Sequence, residues 1–323
     1  MLLLLVTLVG CSQSSGAASS SPSAAAGCRL AVQQSDVKGN NTIGGFLTVP
    51  GGTTVEPAAG AAGANYDPAL GRWVKSAWGV WSADGLTSTH IDGDTTTSRV
   101  HLVDLRTGAD RVLATGGPWS VVAFEAEGIY LMKLVYGPPS AAFGTLATPQ
   151  GLWLLPLNGG APQQITADHR SWQAVHGGLA WANELNRADP QPYGGDVGYS
   201  PNQIVRMDLA TRTTETWLYT PGESASVMGV DRAGVPFVES QNGSKQEVWR
   251  LDRAKPEAPI WAAKWGELGP SIPMVADGSV VWMSGWLPSP PYSPAVYRWS
   301  AASGLQLVAR FDDRRVWVAG PCI

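Results

Sequence analysis

Four histidines, a scatter of carboxylates and 15 tryptophans are the side chains with which this chain could do chemistry. His90-Ile91-Asp92-Gly93-Asp94 places a histidine and two carboxylates at alternate positions, and an Asp-x-Asp opening is how calcium loops begin. The further oxygen ligands and the distal Glu that complete such a loop are missing, so the stretch reads as a solvated turn. His169 and His176 stand outside metalloprotease and zinc-finger spacings and read as structural histidines flanked by tryptophan. His101 falls inside an alternating run and reads as a strand residue. Paired carboxylates for glycoside cleavage need a set separation across a cleft. Glu184, Asp189 and Asp196 are near one another in the chain, but their spacing fixes no such separation. No Gly-x-Ser-x-Gly nucleophile elbow is present, and Gly159-Gly160 and Gly194-Gly195 read as turn residues rather than phosphate cradles. These spacings give no reason to expect a metal or an organic cofactor.

The elements that must position any site are more legible. Val100-His101-Leu102-Val103-Asp104-Leu105 alternates apolar and polar residues, turns at Arg106-Thr107-Gly108 and alternates again to Leu113. Period-2 patterning on both sides of a Gly-containing turn is a β-hairpin with a buried face. The phrase recurs at 152–165, 204–218, 248–261 and 296–309, and a shorter copy, Phe46 to Gly52, opens the series. A repeat spacing of about 44–52 residues is that of propeller blades. A second hairpin precedes each full copy, and together the two make a four-stranded meander. Counting hairpins predicts an all-β, six-bladed β-propeller of four-stranded antiparallel blades. A seventh blade would have to grow from Tyr66-Asp67-Pro68-Ala69-Leu70-Gly71-Arg72-Trp73, which lacks flanking strands. Val316 to Gly320 matches a first strand and is left over, whereas the segment from Cys28 has strands for all of a blade but its first. The C-terminal strand is therefore expected to complete the first blade. Composition agrees: 38 Gly and 24 Pro supply tight turns, and 15% charged residues with a net charge of −4 offer no basic stripe for nucleic acid.

The N-terminus bears on compartment. Leu2 to Val9 is apolar and far shorter than the roughly 20 residues that span a bilayer. The run fits the apolar part of a secretory signal. Leu8-Val9-Gly10-Cys11 resembles the bacterial lipobox, in which the chain is cut before the cysteine and its thiol is lipidated; unlike the usual pattern, no Lys or Arg precedes the apolar run. This divides the chain into a signal peptide at 1–10, a lipidated Cys11 with a flexible Ser/Ala/Gly tether at 11–27, and one propeller domain at 28–323. Lipidation of Cys11 leaves Cys28 and Cys322, an even remainder that in an exported chain points to a disulfide, against the plainer reading of two free thiols.

Ser82-Ala83-Asp84-Gly85 resembles the Ser-Pro-Asp-Gly turn of TolB-like, WD40-like bacterial propellers, with Ala83 where Pro is usual, and the Tyr66 phrase resembles the strand–turn–strand unit of kelch blades. The resemblance covers 28–322 and implies a TolB-like propeller lipoprotein; it implies little about activity, because the fold serves hydrolases, lyases, receptors and scaffolds. A propeller places its fourth-to-first linkers and its second-to-third loops on one face. Here that face should collect Trp119, Arg170, Trp172, Glu223 and Arg315 from linkers, with His90, Asp92, Asp94, Tyr136, Asn186, Arg187, Asp189, Tyr193, Asp196, Trp286 and Tyr292 from loops. Trp119, Arg170, Trp172, Glu223, Arg315 and Tyr193 are the candidate binding residues, with Trp119 and Trp172 as stacking platforms. The expected role is a monomeric, non-catalytic binding protein for an envelope protein or glycan, touching the membrane only through its lipid. The rival is an envelope hydrolase or lyase working on a saccharide or peptide in the channel.

Overall fold

The structure, a computed structural model, describes residues 27–36, 38–75, 80–138, 147–189, 200–231, 233–242, 245–252, 259–264, 270–277 (backbone only), 280–287 and 293–323. The proposed signal peptide, Cys11 and nearly all of the tether lie outside them. From the N-terminus the strands are β1 (Cys28–Asp36), β2 (Ile43–Val49) and β3 (Val55–Pro57), then the short pair β4 (Asn65–Asp67) and β5 (Arg72–Val74). Next come β6 (Val80–Trp81), β7 (Thr87–Gly93), β8 (Ser98–Asp104) and β9 (Asp110–Gly116). The third group is β10 (Trp119–Glu125), β11 (Gly128–Tyr136), β12 (Ala147–Leu155) and β13 (Gln163–Thr166). The fourth is β14 (Ser171–His176), β15 (Leu179–Glu184), β16 (Gln203–Asp208) and β17 (Thr214–Tyr219). The fifth is β18 (Ser224–Val230), β19 (Pro236–Asn242), β20 (Lys245–Arg250) and β21 (Trp261–Lys264). The sixth is β22 (Pro270–Asp277), β23 (Val280–Trp286), β24 (Pro294–Ser300) and β25 (Gly304–Arg310), and β26 (Arg314–Cys322) ends the chain. Among the described residues these make six four-stranded sheets and one two-stranded hairpin, and the first sheet has the order β26-β1-β2-β3.

Each interface between sheets follows from alternation. In β11, Ile129 and Leu131 pack with Val100 and Leu113 of the second sheet, while Tyr130 and Met132 pack with Trp172, Val175 and Met207 of the fourth. Strands that bury both faces must be apolar at odd and even positions alike, and β11 reads Ile-Tyr-Leu-Met. Trp181 and Ile204 meet Val227, Val238 and Leu251 of the fifth sheet, and Phe237 meets Val281, Met283 and Tyr297 of the sixth. Trp282, Val296 and Phe311 then meet Leu30, Val32, Val316 and Val318 of the first.

The remaining seam, between the first and second sheets, is filled by the hairpin β4–β5. Tyr66 and Trp73 pack with Phe46 at ring separations of 5.2 and 5.5 Å, and the Arg72 guanidinium donates to the carbonyl of Leu105. Gly85, at φ +70°, lies so close that a Cβ there would stand 3.1 Å from the Asp67 carboxylate. The segment 57–64, which reads from its composition as a linker, is instead fixed: buried Gln33 donates to the carbonyl of Ala61 at 2.6 Å and accepts from the Gly63 amide at 3.1 Å.

Two devices recur. In the third-to-fourth strand pairings the register slips at Val100, Leu152, Ile204 and Val296, and all four of those residues are fully buried. A bulge there adds the twist a blade needs. The Asp-Leu phrase is the second device. Asp104 accepts from the amides of Arg106 and Thr107 at 2.9 and 3.1 Å, and Asp208 from Ala210 and Thr211 at 3.0 and 2.9 Å. The adjacent leucine amides, Leu105 and Leu209, bond back to the carbonyls of Leu86 and Gly178.

β26 pairs antiparallel with β1, and Arg29 and Ile323 exchange both backbone hydrogen bonds beyond it. The Cys28–Cys322 disulfide closes the same seam, with Cα atoms 5.7 Å apart across 294 residues. Cross-linking a loop this long removes unfolded-state entropy. Replacing both cysteines by serine is expected to lower unfolding free energy by about 2–4 kcal/mol, measured by urea unfolding of oxidised protein. The turn aspartates set acid sensitivity. Hydrogen bonds from Thr96 and Thr97 hold the Asp94 carboxyl down at about 2, below its ordinary 3.8, and the Arg106 guanidinium and turn amides hold Asp104 low as well. Lowered folded-state values mean stability present above about pH 4 and lost as pH falls toward 2. The melting temperature is therefore expected to fall over that window, and to fall less steeply in an Asp94→Asn/Asp104→Asn variant.

Candidate functional site

β10, β14, β18 and β26 each lead an antiparallel four-stranded sheet, so each starts at the end that also carries its sheet's second-to-third loop. Around the start of β14 the side chains form one network. Antiparallel pairing of Ser171 with Asn183 places Arg170 beside Glu184. The Arg170 guanidinium donates from Nε to Glu184 Oε1 at 3.0 Å and from Nη1 to Asp168 Oδ2 at 2.6 Å. Asp168 also accepts from Thr166 Oγ1 at 3.1 Å and from Trp172 Nε1 at 3.2 Å. Gln203 donates to the second oxygen of Glu184 at 2.7 Å. All three charged side chains are less than one-third exposed, so their mutual neutralisation is only weakly screened by solvent.

A second network adjoins it. Asn202, fully buried, donates to Asp189 Oδ2 at 2.6 Å and accepts from the Asn186 amide at 2.8 Å. The Gly222 amide also donates to Asp189, at 3.2 Å. Partial loss of solvent at the phenol oxygen of the otherwise exposed ring, and then the Asp189 carboxylate that accepts its hydrogen bond, push the Tyr219 phenol up from its ordinary value. Glu223 accepts from Asn242 Nδ2 at 3.0 Å, joining the entry of β18 to the end of β19.

The expected binding residues therefore fall into different situations. Arg170 and Glu223 belong to the polar networks. Trp172 is 2% exposed and its ring is part of the core between the third and fourth sheets. It anchors the sheet and offers no stacking surface. Trp119 is half-buried, packed edge-on against Trp153 at 5.6 Å. Arg315 is exposed and has no ion pair among the described residues. Tyr193 lies outside the described residues, as do Asp196 and Tyr292. Tyr136 and Trp286 end β11 and β23, and the Trp286 carbonyl accepts from Tyr297. Asp94 caps its own turn, but the rest of the stretch expected to be a solvated turn is strand: His90, Ile91, Asp92 and Gly93 belong to β7 and pair with β8. His169 engages the Pro149 carbonyl at 3.0 Å, and His176 the Glu125 carboxylate at 3.2 Å. Asp168 and Asn202 carry no sequence signal of their own. What could have found Asp168 is its place two residues from Arg170 in a fourth-to-first linker.

Chemically this end is a set of carboxylates held by fixed donors, with one guanidinium shared between Asp168 and Glu184. Two carboxylates bridged by one guanidinium leave no gap for the water or sugar that acid–base cleavage places between a carboxylate pair. The arrangement suits recognition through fixed donors and acceptors. Removing the bridge leaves two part-buried carboxylates facing each other. Arg170→Ala is expected to destabilise the protein by about 1–3 kcal/mol, and Arg170→Ala/Glu184→Gln to recover part of that loss, both read by urea unfolding.

No protein-family model and no curated protein sequence matches the chain. Among solved structures, TolB from Acinetobacter baumannii superposes with a TM-score of 0.51 at 14% identity, covering 91% of this chain and 67% of that one. A putative TolB from Agrobacterium tumefaciens gives 0.50 at 12% identity, covering 91% of this chain and 93% of that one. At such identities the likeness concerns the fold alone, a β-propeller like that of TolB.

Proposed function

We propose that this propeller is an exported, lipid-anchored binding protein that holds an envelope protein or glycan at its loop-rich end without transforming it. The observation that carries the reading is Arg170 wedged between Asp168 and Glu184. It turns the obvious charged groups of that end into a rigid scaffold and spends them on each other. Fixed polar groups lower the ordering cost of binding, and the half-buried indole of Trp119 and the exposed guanidinium of Arg315 remain for contact with a partner. Both residue types are enriched where interfaces concentrate their energy. Lipidation at Cys11 would hold the ring at a membrane surface, and the Ser/Ala/Gly segment would let it search.

The test is capture from envelope extract with the fragment 28–323, against the same fragment carrying Trp119→Ala and Arg315→Ala. The expected result is a discrete partner retained by the first bait and reduced at least tenfold on the second. Equal capture by both baits would remove the loop-rich end as the binding surface. Turnover of a saccharide or peptide by the purified fragment would replace binding with catalysis. Cys11→Ser is expected to move the full chain from the membrane fraction to the soluble fraction.

A further inference from the structure

On the second sheet, along β7, β8 and the start of β9, four ionisable side chains and an arginine gather on one face. His90 and His101 are direct cross-strand partners in the β7–β8 pairing, and their rings stack with centroids 4.5 Å apart and 19° between planes. Between Val100 and His101 the β8–β9 register slips by one residue, so that His101 faces Val112. Asp110, two residues from Val112, then comes onto the same face, and its Oδ1 lies 2.9 Å from His101 Nδ1. One donor atom from each of His90, His101 and Asp110 lies within 4.8 Å of the other two.

The other nitrogen of His101 tells how the ring is held. Nε2 is buried and makes no hydrogen bond, yet Asp92 Oδ1 stands 3.2 Å away. The distance is that of an ion pair and the angle misses a hydrogen bond, so a small ring rotation would complete the contact. Asp92 is itself gripped by Arg99, whose Nε donates to it at 2.8 Å. A carboxylate behind an imidazole whose far nitrogen faces further donors is the arrangement that orients a metal-bound histidine and raises its basicity.

We propose that His90, His101 and Asp110 bind a divalent transition metal ion of the zinc class, with Asp92 as the carboxylate that orients His101. Two imidazoles and one carboxylate are a donor set that zinc accepts, and three protein ligands leave a fourth position for water or for a donor from a partner. Donors about 2.0–2.1 Å from a tetrahedral ion lie about 3.3 Å apart, so capture draws these side chains together by up to about 1.5 Å. The face has room for that adjustment. Asp110 is exposed, and Val112, opposite His101, is 46% exposed. The hairpin β4–β5 covers the neighbouring seam with only two strands, which leaves the outer strands of this sheet open on that side.

The test uses untagged 28–323 protein, which holds every strand described above, freed of metal with a chelator. Zinc is titrated by calorimetry, and cobalt(II) by its visible spectrum. The expected result is one ion per chain with a tetrahedral cobalt spectrum. His90→Gln and Asp110→Asn should each weaken binding at least tenfold. Asp92→Asn should weaken it by about 10–100-fold while keeping the stoichiometry, and His169→Gln should leave it unchanged. His90 and Asp110 are at least partly exposed, so both variants should keep the parent melting temperature, and either alone decides the matter. Equal affinity in the parent, His90→Gln and Asp110→Asn proteins, or the absence of saturable binding in the parent, would overturn the assignment.

Discussion

Closure of the ring rests on one strand pairing. β26 hydrogen-bonds to β1 across nearly the whole length of the chain. An edge strand left open would expose unpaired amides and carbonyls, and here the tail supplies what the head lacks. The pairing brings Val316 and Val318 into the same core as Leu30 and Val32, with Trp282 and Val296 of the sixth sheet on the other side. Strand pairing, core and disulfide act at one seam, so the two chain ends are held by three different kinds of interaction. Ordering contacts this distant in sequence is entropically expensive, which is why a covalent link has most to contribute there.

Around that seam the other interfaces are variations on a repeated theme. Each sheet offers apolar side chains on both faces, each third-to-fourth strand bulge named above falls on a fully buried residue, and the aspartate turns close hairpins at the rim. The exception is the gap between the first and second sheets. A two-stranded hairpin with Tyr66 and Trp73 fills it, and the open flank this leaves is where His90, His101 and Asp110 meet. The irregularity of the ring and its candidate metal site therefore have a common origin.

Much of this was legible in the residues. The recurring hairpins gave the four-stranded antiparallel sheets, the unmatched Val316 to Gly320 gave a strand that joins the first of them, and cysteine parity gave the bridge. What was not legible depends on neighbours that are distant in sequence. Trp119 and Trp172 both begin first strands, yet Tyr130 and Met132 from the adjoining sheet help to bury only the second. The segment 57–64 looks like a linker because the side chain that fixes it, Gln33, belongs to another strand. Asp110 reaches His101 only through a register slip, which no spacing rule announces. Arg170 was singled out as a contact residue, and the structure gives it two internal partners that sequence could not assign.

The most direct measurement of the account is amide hydrogen exchange in β26 and β1 of the oxidised protein. If β26 is an integral strand of the first sheet, the amides of Arg315 and Trp317, opposite Ser35 and Gln33 of β1, exchange only with global unfolding, at the rate of the β11 core amides. Exchange of Arg315 and Trp317 at the rate of an unstructured tail, with β11 still protected, would contradict a ring closed by its own C-terminus.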